Sequence, residues 1–166
     1  MSELLAPDRN SPVSLVEITK ANLRDFLRLK VSPAQERLVA PNAVSIAQAH
    51  FQPEAWFRGI VAGGVPVGFA MLEDWRQNPE EATEEWLREP TIYLWRFMID
   101  ARFQGLGFGA RALALLIAHA RSVPGTKAML LSFVPGEGSP EAFYRRFGFE
   151  PTGEVSEGEH VMRLAF

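Results

Sequence analysis

The chain contains no cysteine. That excludes a disulfide framework and any thiolate metal site. Histidine is scarce as well: His50, His119 and His160 stand far apart, without the short spacings of metal ligands, so no metal is expected. No stretch approaches the ~20 apolar residues that span a bilayer. Met1–Pro12 carries acids and lacks the basic start and apolar run of a secretion signal. The expectation is a cytoplasmic protein with no membrane partner. An excess of positive charge is also missing. Seventeen Lys and Arg face twenty Asp and Glu, for a net charge of -3. No basic field is left to attract a phosphate backbone, and nucleic acid is not expected as a partner.

What is present is ordinary globular composition, 47% hydrophobic and 22% charged over 166 residues. A compact chain of that size buries roughly 70% of the surface its unfolded form exposes. A single domain over residues 1–166 is expected, with residues 1–12 as a flexible N-terminus and no repeat, low-complexity tract or linker.

The order of elements follows from periodicity and punctuation. Val13–Ile18 reads as a strand, and Leu23, Phe26 and Leu27 fall at helical spacing within Asn22–Leu29. Pro41-Asn42 opens a second helix with Asn42 as its N-cap. Trp56–Ala62 and Val65–Leu72 flank Gly63-Gly64, a hairpin signature. Asn78–Arg88 is acid-rich and reads as an exposed loop or short helix, ahead of the strongest strand signal, Thr91–Asp100, expected at the centre of the sheet. Leu113, Leu116, Ile117 and Ala120 mark one face of a helix over about Gly109–Arg121. Ala128–Val134 reads as a buried strand. Ser139-Pro140-Glu141 supplies an N-cap, a first-turn proline and an acid for a helix that Gly148 stops. Phe149–Val155 and His160–Ala165 close the chain as a strand pair.

Phe103-Gln104-Gly105-Leu106-Gly107-Phe108-Gly109-Ala110 lies between the strong strand and the amphipathic helix. Glycine amides there converge with the positive end of a helix dipole, which suits a diphosphate. A bare strand-to-helix connection is the plain alternative. Gly105, Gly107 and Ala110 also fit the dinucleotide pattern G-x-G-x-x-A, but that turn belongs to the first βα unit and is followed about 20 residues later by an acid. Here the turn comes late, and Ala128–Val134 holds no acid. The Gly-Lys-Ser/Thr ending of a phosphate loop is missing too.

Gln104-Gly105-Leu106-Gly107-Phe108-Gly109, after Phe97-Met98-Ile99-Asp100, resembles the Arg/Gln-x-x-Gly-x-Gly/Ala motif of the GNAT N-acetyltransferase superfamily. Ala142-Phe143-Tyr144-Arg145-Arg146-Phe147-Gly148-Phe149 resembles its ending, so nearly the whole chain is covered. The resemblance implies an α/β (α+β) fold: a mixed, mostly antiparallel twisted sheet of about six to seven strands, splayed at its centre and flanked by about four helices. It implies acetyl-CoA as cosubstrate. Phe97, Met98 and Ile99 would follow the pantetheine arm, with the backbone of Phe97 and Ile99 pairing to it. Gln104 and the Gly105, Leu106, Gly107, Phe108, Gly109 and Ala110 amides would hold the pyrophosphate. Tyr144 would be the general acid, protonating the thiolate released when a neutral amine attacks the thioester directly. Its plain alternative is a core ring with its hydroxyl at the surface. One position departs from the family: where an Asn often contacts the coenzyme, seven residues before the tyrosine, this chain has Glu137.

Within the superfamily the chain is most similar to bacterial spermine/spermidine (diamine) acetyltransferases, through Leu94-x-Arg96-Phe97-Met98-Ile99-Asp100 and Glu159-His160-Val161-Met162. A small-molecule amine, with a polyamine as candidate, is therefore the expected acceptor. Glu73, Asp74, Glu80, Glu81, Glu84, Glu85 and Glu89 would suit attraction of a polycation, or form a solvated loop. Gln35, Glu36, Glu73 and Asp74 are the candidate substrate contacts. Related enzymes often carry an acid on the central strand where this chain has Trp95. The resemblance implies a homodimer. The competing readings are a non-catalytic acyl-CoA-binding module and an acetyltransferase of peptide amines.

Overall fold

A computed structural model describes residues 6–166. Residues 1–5 of the expected flexible start lie outside the described residues. From Asp8 onward the chain is tied down: Ser11 N donates to Asp8 O at 3.1 Å and Gly63 N to Pro12 O at 2.9 Å.

Eleven regular elements follow: β1 (Val13–Val16), α1 (Leu23–Leu27), α2 (Asn42–Phe51), β2 (Ala55–Ala62), β3 (Val65–Glu73), β4 (Thr91–Ile99), α3 (Phe108–Ser122), β5 (Ala128–Phe133), α4 (Glu141–Arg145), β6 (Glu150–Ser156) and β7 (Glu159–Ala165). The strands form one seven-stranded sheet in the order β1-β2-β3-β4-β5-β7-β6, with β4 in the middle. β1 with β2, β5 with β7 and β6 with β7 run antiparallel. β4 and β5 run parallel because α3 carries the chain back between them. The mixed, mostly antiparallel sheet and the helices of the expected fold are present. The β4–β5 register ends at Leu94↔Leu131, so β4 continues as Trp95–Ile99 beyond its pairing with β5.

The chain organises into two compact units. The first comprises the chain up to Pro53, Phe57–Met71 and Arg96–Leu116; the second comprises Glu54–Trp56, Leu72–Trp95 and Ile117–Phe166. In the first unit Phe26, Ile60, Phe69, Phe108, Leu113 and Leu116 are fully buried. The Phe26 ring packs against Gly59, where an added Cβ would sit 2.1 Å from it. Burying such a ring is worth about 1.5–3 kcal/mol, and it anchors a helix of only five residues. In the second unit the core is built from Leu72, Met129, Leu131, Phe149 and Met162.

Several local expectations hold. Gly63 and Gly64 turn the β2–β3 hairpin with φ of 56° and 84°, as a primed turn requires. Leu113, Leu116 and Ala120 form the buried face of α3. Others need correction. Asn42 does not cap α2; Pro41 holds that place, and the buried Asn42 amide donates to Phe26 O at 2.9 Å, tying α2 to α1. Nor is Asn78–Arg88 a simple exposed loop. Short 3-10 turns at Trp75–Gln77, Pro79–Glu81 and Glu85–Arg88 bury Trp75, Ala82 and Leu87 as a small cluster with Trp86 and Tyr93 packed against it. The apolar residues scattered among those acids decide the outcome.

Candidate active site

The glycine-rich turn leaves β4 through Asp100 and enters α3. Gly105 and Gly107 adopt φ of 77° and 81°, the left-handed region that glycine alone enters freely. A Cβ at either position would meet nothing within 4 Å. The backbone is thus exposed beside the first turn of a 15-residue helix, whose leading amides have no partner within the helix. This arrangement fits an anionic group. Arg111, which sequence reasoning missed, secures the turn: its Nη1 donates to Ser11 O at 2.7 Å, its Nη2 to Leu106 O and its Nε to Gly107 O, each at 3.3 Å. Its place four residues after Gly107, one helical turn on, is the signal that could have revealed it.

Gln104 does not point away from the fold. Its Nε2 donates to Ile99 O and to Gln35 Oε1, both at 2.9 Å. Gln35 Oε1 also accepts from Ser32 N at 3.3 Å and Ser32 Oγ at 3.1 Å. The Gln35 oxygen is thus committed to internal donors, and only its amide NH2 is left for a ligand. At the end of β4, Asp100 is buried, at 3% exposure. Its carboxylate accepts from Lys30 N at 2.9 Å, Arg102 N at 3.0 Å and Arg102 Nε at 2.8 Å. Burial alone would raise its pKa, but hydrogen bonds from the Arg102 side chain and the two amides hold it below the usual carboxylate value. The carboxylate locks the start of the turn to the segment after α1.

A cavity of about 450 Å³ opens beside that segment, with walls that include Leu29, Val39, Ala40, Lys30, Glu36 and Met98. Glu36 is therefore placed where an acceptor amine could meet it. Met98 turns its side chain toward the same space, with its sulfur 3.9 Å from Asn42 Nδ2. Its carbonyl oxygen backs onto Gly68, where a Cβ would come within 2.4 Å of it.

The other two acids face different surroundings. Glu73 is buried, at 5% exposure, and accepts from Trp75 Nε1 at 3.2 Å. Asp74 forms a two-pronged ion pair with Arg76, at 2.7 and 2.6 Å, and Arg76 continues to Pro124 O at 2.5 Å. Burial opposes ionisation of Asp74, yet the Arg76 hydrogen bonds lower its pKa. Further along the acidic stretch, Glu84 accepts from Ser156 Oγ at 2.7 Å and Glu89 pairs with Arg163 at 2.8 Å. Much of this charge is spent on structure.

Tyr144 sits on α4 at 7% exposure, its ring edge-on to Phe143 and Phe149. Burial, and after it the nearby Tyr93 phenol, push its pKa above the ordinary 10.0. It stays protonated at neutral pH, so its hydroxyl can serve as an acid there and not as a base. Also in the second unit, Tyr93 Oη and Ser132 Oγ lie 2.7 Å apart, and Ser132 Oγ donates to Glu159 Oε2. Nothing in the sequence linked these three positions. Glu137 is exposed between Gly136 and Gly138, whose φ values are 109° and 77°. Among the described residues, no group of three or more His, Asp or Glu could hold a metal ion, and no helix is long and apolar enough to cross a membrane.

Comparison with known proteins adds the family. The profile of the Acetyltransferase (GNAT) family matches residues 18–149. The chain is 30% identical over 155 residues to the spermine/spermidine N(1)-acetyltransferase of Bacillus subtilis, covering 90% of this chain and 96% of that protein. Among solved structures, an acetyltransferase from Thermus thermophilus superposes with a TM-score of 0.70 at 16% identity, covering 93% of this chain and 97% of its own. The PaiA N-acetyltransferase from Thermoplasma acidophilum, solved with coenzyme A, superposes with a TM-score of 0.63 at 11% identity, covering 93% and 99%. At such low identities these two structures speak to the fold, whereas the profile match and the Bacillus relative speak to descent. A glycine-rich turn after the central strand of this sheet, within a sequence that matches one profile over most of its length, means that the chain belongs to the GNAT acetyltransferase family.

Proposed function

We propose that this chain moves the acetyl group of acetyl-CoA onto a primary amine of a polyamine such as spermidine or spermine, by direct attack in a ternary complex. The observation that carries the choice of acceptor is the 30% identity, over nearly the full length of both chains, to a spermine/spermidine N(1)-acetyltransferase. The cavity beside Glu36 adds support. Its apolar walls suit methylene chains, and its one carboxylate suits an ammonium. Lys30 in the same lining balances that charge, so selection rests on the local position of Glu36 rather than on a strongly negative pocket.

The cosubstrate, when bound, supplies an acetyl thioester. The residues of this chain do the remaining work. Amides from Gly105 to Ala110 and the α3 dipole hold the diphosphate, with Arg111 keeping the turn in shape. Phe97, Met98 and Ile99 offer backbone to the pantetheine arm. Because Gln104 occupies Ile99 O, this contact falls to the Ile99 N–H or the second lone pair of that oxygen. Tyr144 donates a hydrogen bond, then its proton, to the departing sulfur. The thiolate of a thiol with pKa near 8.5 is a weaker base than a buried phenolate, so the hydrogen bond to the developing charge is the larger part of its help. In the same reading the enzyme works in the cytoplasm as a homodimer, which light scattering of the purified protein tests.

The decisive assay is thiol release from acetyl-CoA across spermine, spermidine, putrescine, an aminoglycoside, amino acids and a peptide. Polyamines are expected to give the highest kcat/KM. Turnover confined to peptides would overturn the acceptor, and coenzyme binding without turnover on any amine would make the chain a binding module.

A further inference from the structure

The cavity beside Glu36 differs between its floor and its rim. Leu29, Asn42 and Met98 are the buried members of its lining, whereas its two charged members, Lys30 and Glu36, are exposed. The floor therefore carries no charge, and its one polar side chain is Asn42, at 3% exposure. Both ends of that carboxamide are defined. Its Nδ2 donates to Phe26 O at 2.9 Å, which fixes the nitrogen on that side and leaves Oδ1 on the other. A flipped amide would set its oxygen against the Phe26 carbonyl. No donor among the described residues reaches Oδ1. Nor is this oxygen sealed: among the described residues, the enclosed side-chain oxygens without a partner are Ser45 Oγ and Thr126 Oγ1. Asn42 Oδ1 thus opens on accessible space, and the space at Asn42 is the cavity. Such an oxygen calls for a donor from whatever binds there.

The acceptor decides which donor that is, and here the inference rests on the polyamine acetyltransferase reading above. In that reading Met98 follows the pantetheine arm, and its sulfur lies 3.9 Å from Asn42 Nδ2, so the floor of the cavity is the end nearest the thioester. Only a neutral amine can attack, yet at an ordinary pKa near 10.4 roughly one molecule in 10³ is neutral at pH 7. Removal from water lowers the pKa of an amine, and a carboxylate close to it raises that pKa. An uncharged acceptor at the floor can therefore hold the free amine without favouring its ammonium form. We propose that Asn42 Oδ1 accepts an N–H from the attacking nitrogen and orients its lone pair, while Glu36 at the rim pairs with a second nitrogen that stays charged. The attacking nitrogen leaves its proton with bulk water as it enters, and the second keeps its own. Lys30 stands at the same rim, so Glu36 is the anion available there. Arg96 of β4 donates to Gln48 Oε1 at 3.5 Å, farther along α2. The acceptor that fits is a diamine or longer polyamine whose methylenes lie against Val39 and Met98.

The test follows kcat against pH, which reports ionisations in the bound complex, with putrescine and with butylamine, its analogue with one nitrogen. In the wild type the pH of half-maximal kcat should lie below the ordinary amine value near 10.4. Asn42→Asp keeps an oxygen but adds a charge, and should raise that pH by about one unit or more with both amines. Asn42→Ala should lower kcat about tenfold with both amines and leave that pH in place. Glu36→Gln should raise KM about two- to fivefold for putrescine and leave butylamine unchanged. Acetyl-CoA affinity by calorimetry should match wild type in all three. A loosened fold would neither move the half-maximal pH in the Asp variant alone nor separate the two amines. An unshifted profile in folded Asn42→Asp, or wild-type kcat in folded Asn42→Ala, overturns the role of Asn42, and an equal response of the two amines to Glu36→Gln overturns that of Glu36. Should loss of the tie to Phe26 O unfold both Asn42 variants, the wild type still decides: a half-maximal pH at or above that of the free amine overturns the uncharged floor. A wild-type protein that turns over no amine would instead overturn the functional reading, which keeps the two failures distinct.

Discussion

Tyr144 combines the two properties a buried acid needs: a hydroxyl kept protonated by burial and a ring fixed by Phe143 and Phe149. Tyr144→Phe keeps the ring and removes the donor, so kcat is expected to fall by about 10²–10⁴-fold. Melting temperature and coenzyme affinity should stay near those of wild type, and steady-state kinetics with calorimetry check both. Asp100 gives a prediction of a different kind. Its pKa lies below the ordinary 3.8 in the folded protein, so its contribution to stability is present above that value and fades as pH falls through the folded pKa. Asp100→Asn should cost about 1–3 kcal/mol at pH 7. Below about pH 4 the wild type should lose that advantage, so melting curves of the two proteins from pH 7 to pH 3 should converge. Neither role was fully legible in the sequence. The motif pointed to Tyr144, but the bond that Asp100 accepts from Lys30 N depends on a segment 70 positions away.

Two glycines separate the cost to the fold from the cost to the ligand at the level of elements. At Gly68, on β3, a methyl group would press on Met98 O at 2.4 Å and on Ile99 Cδ1 at 2.8 Å, and a backbone oxygen in a central strand has nowhere to go. Gly68→Ala is expected to destabilise by about 1–3 kcal/mol in urea unfolding. At Gly107 the space is open, but φ is 81°. Gly107→Ala should cost only about 1–2 kcal/mol of backbone strain while placing a methyl group where a diphosphate would approach, so calorimetry should show acetyl-CoA binding weakened far more than the fold. The glycine-rich turn could be read from sequence because positive φ and close approach both demand glycine. Gly68 could not, because its need comes from a neighbouring strand. Likewise Asn42, with cap chemistry in sequence, serves instead as a buried tie to Phe26 O because Pro41 takes the cap position.

For the whole molecule, the net charge of -3 opposes a polyanionic coenzyme at long range, so recognition must come from the short-range geometry of the turn. Saturating acetyl-CoA at about 100 times its dissociation constant should add about 2.7 kcal/mol, or roughly 5–10 °C in melting temperature for a chain of this size. Thermal denaturation with and without acetyl-CoA measures it, and no shift for well-folded protein would remove the coenzyme from the account. The sequence by itself determined the order of strands and helices, the central place of β4 and the glycine-rich turn, because periodicity, turn chemistry and positive φ are local demands written in adjacent residues. Only the tertiary structure decided which polar groups meet: that Gln35 and Gln104 bond to each other, that Ser156 donates to Glu84, that Glu36 lines a cavity, and that Tyr93, Ser132 and Glu159 align. Those pairings join positions far apart in the chain, and the choice among many acids and amides is made by distance in the folded state, which no local pattern records.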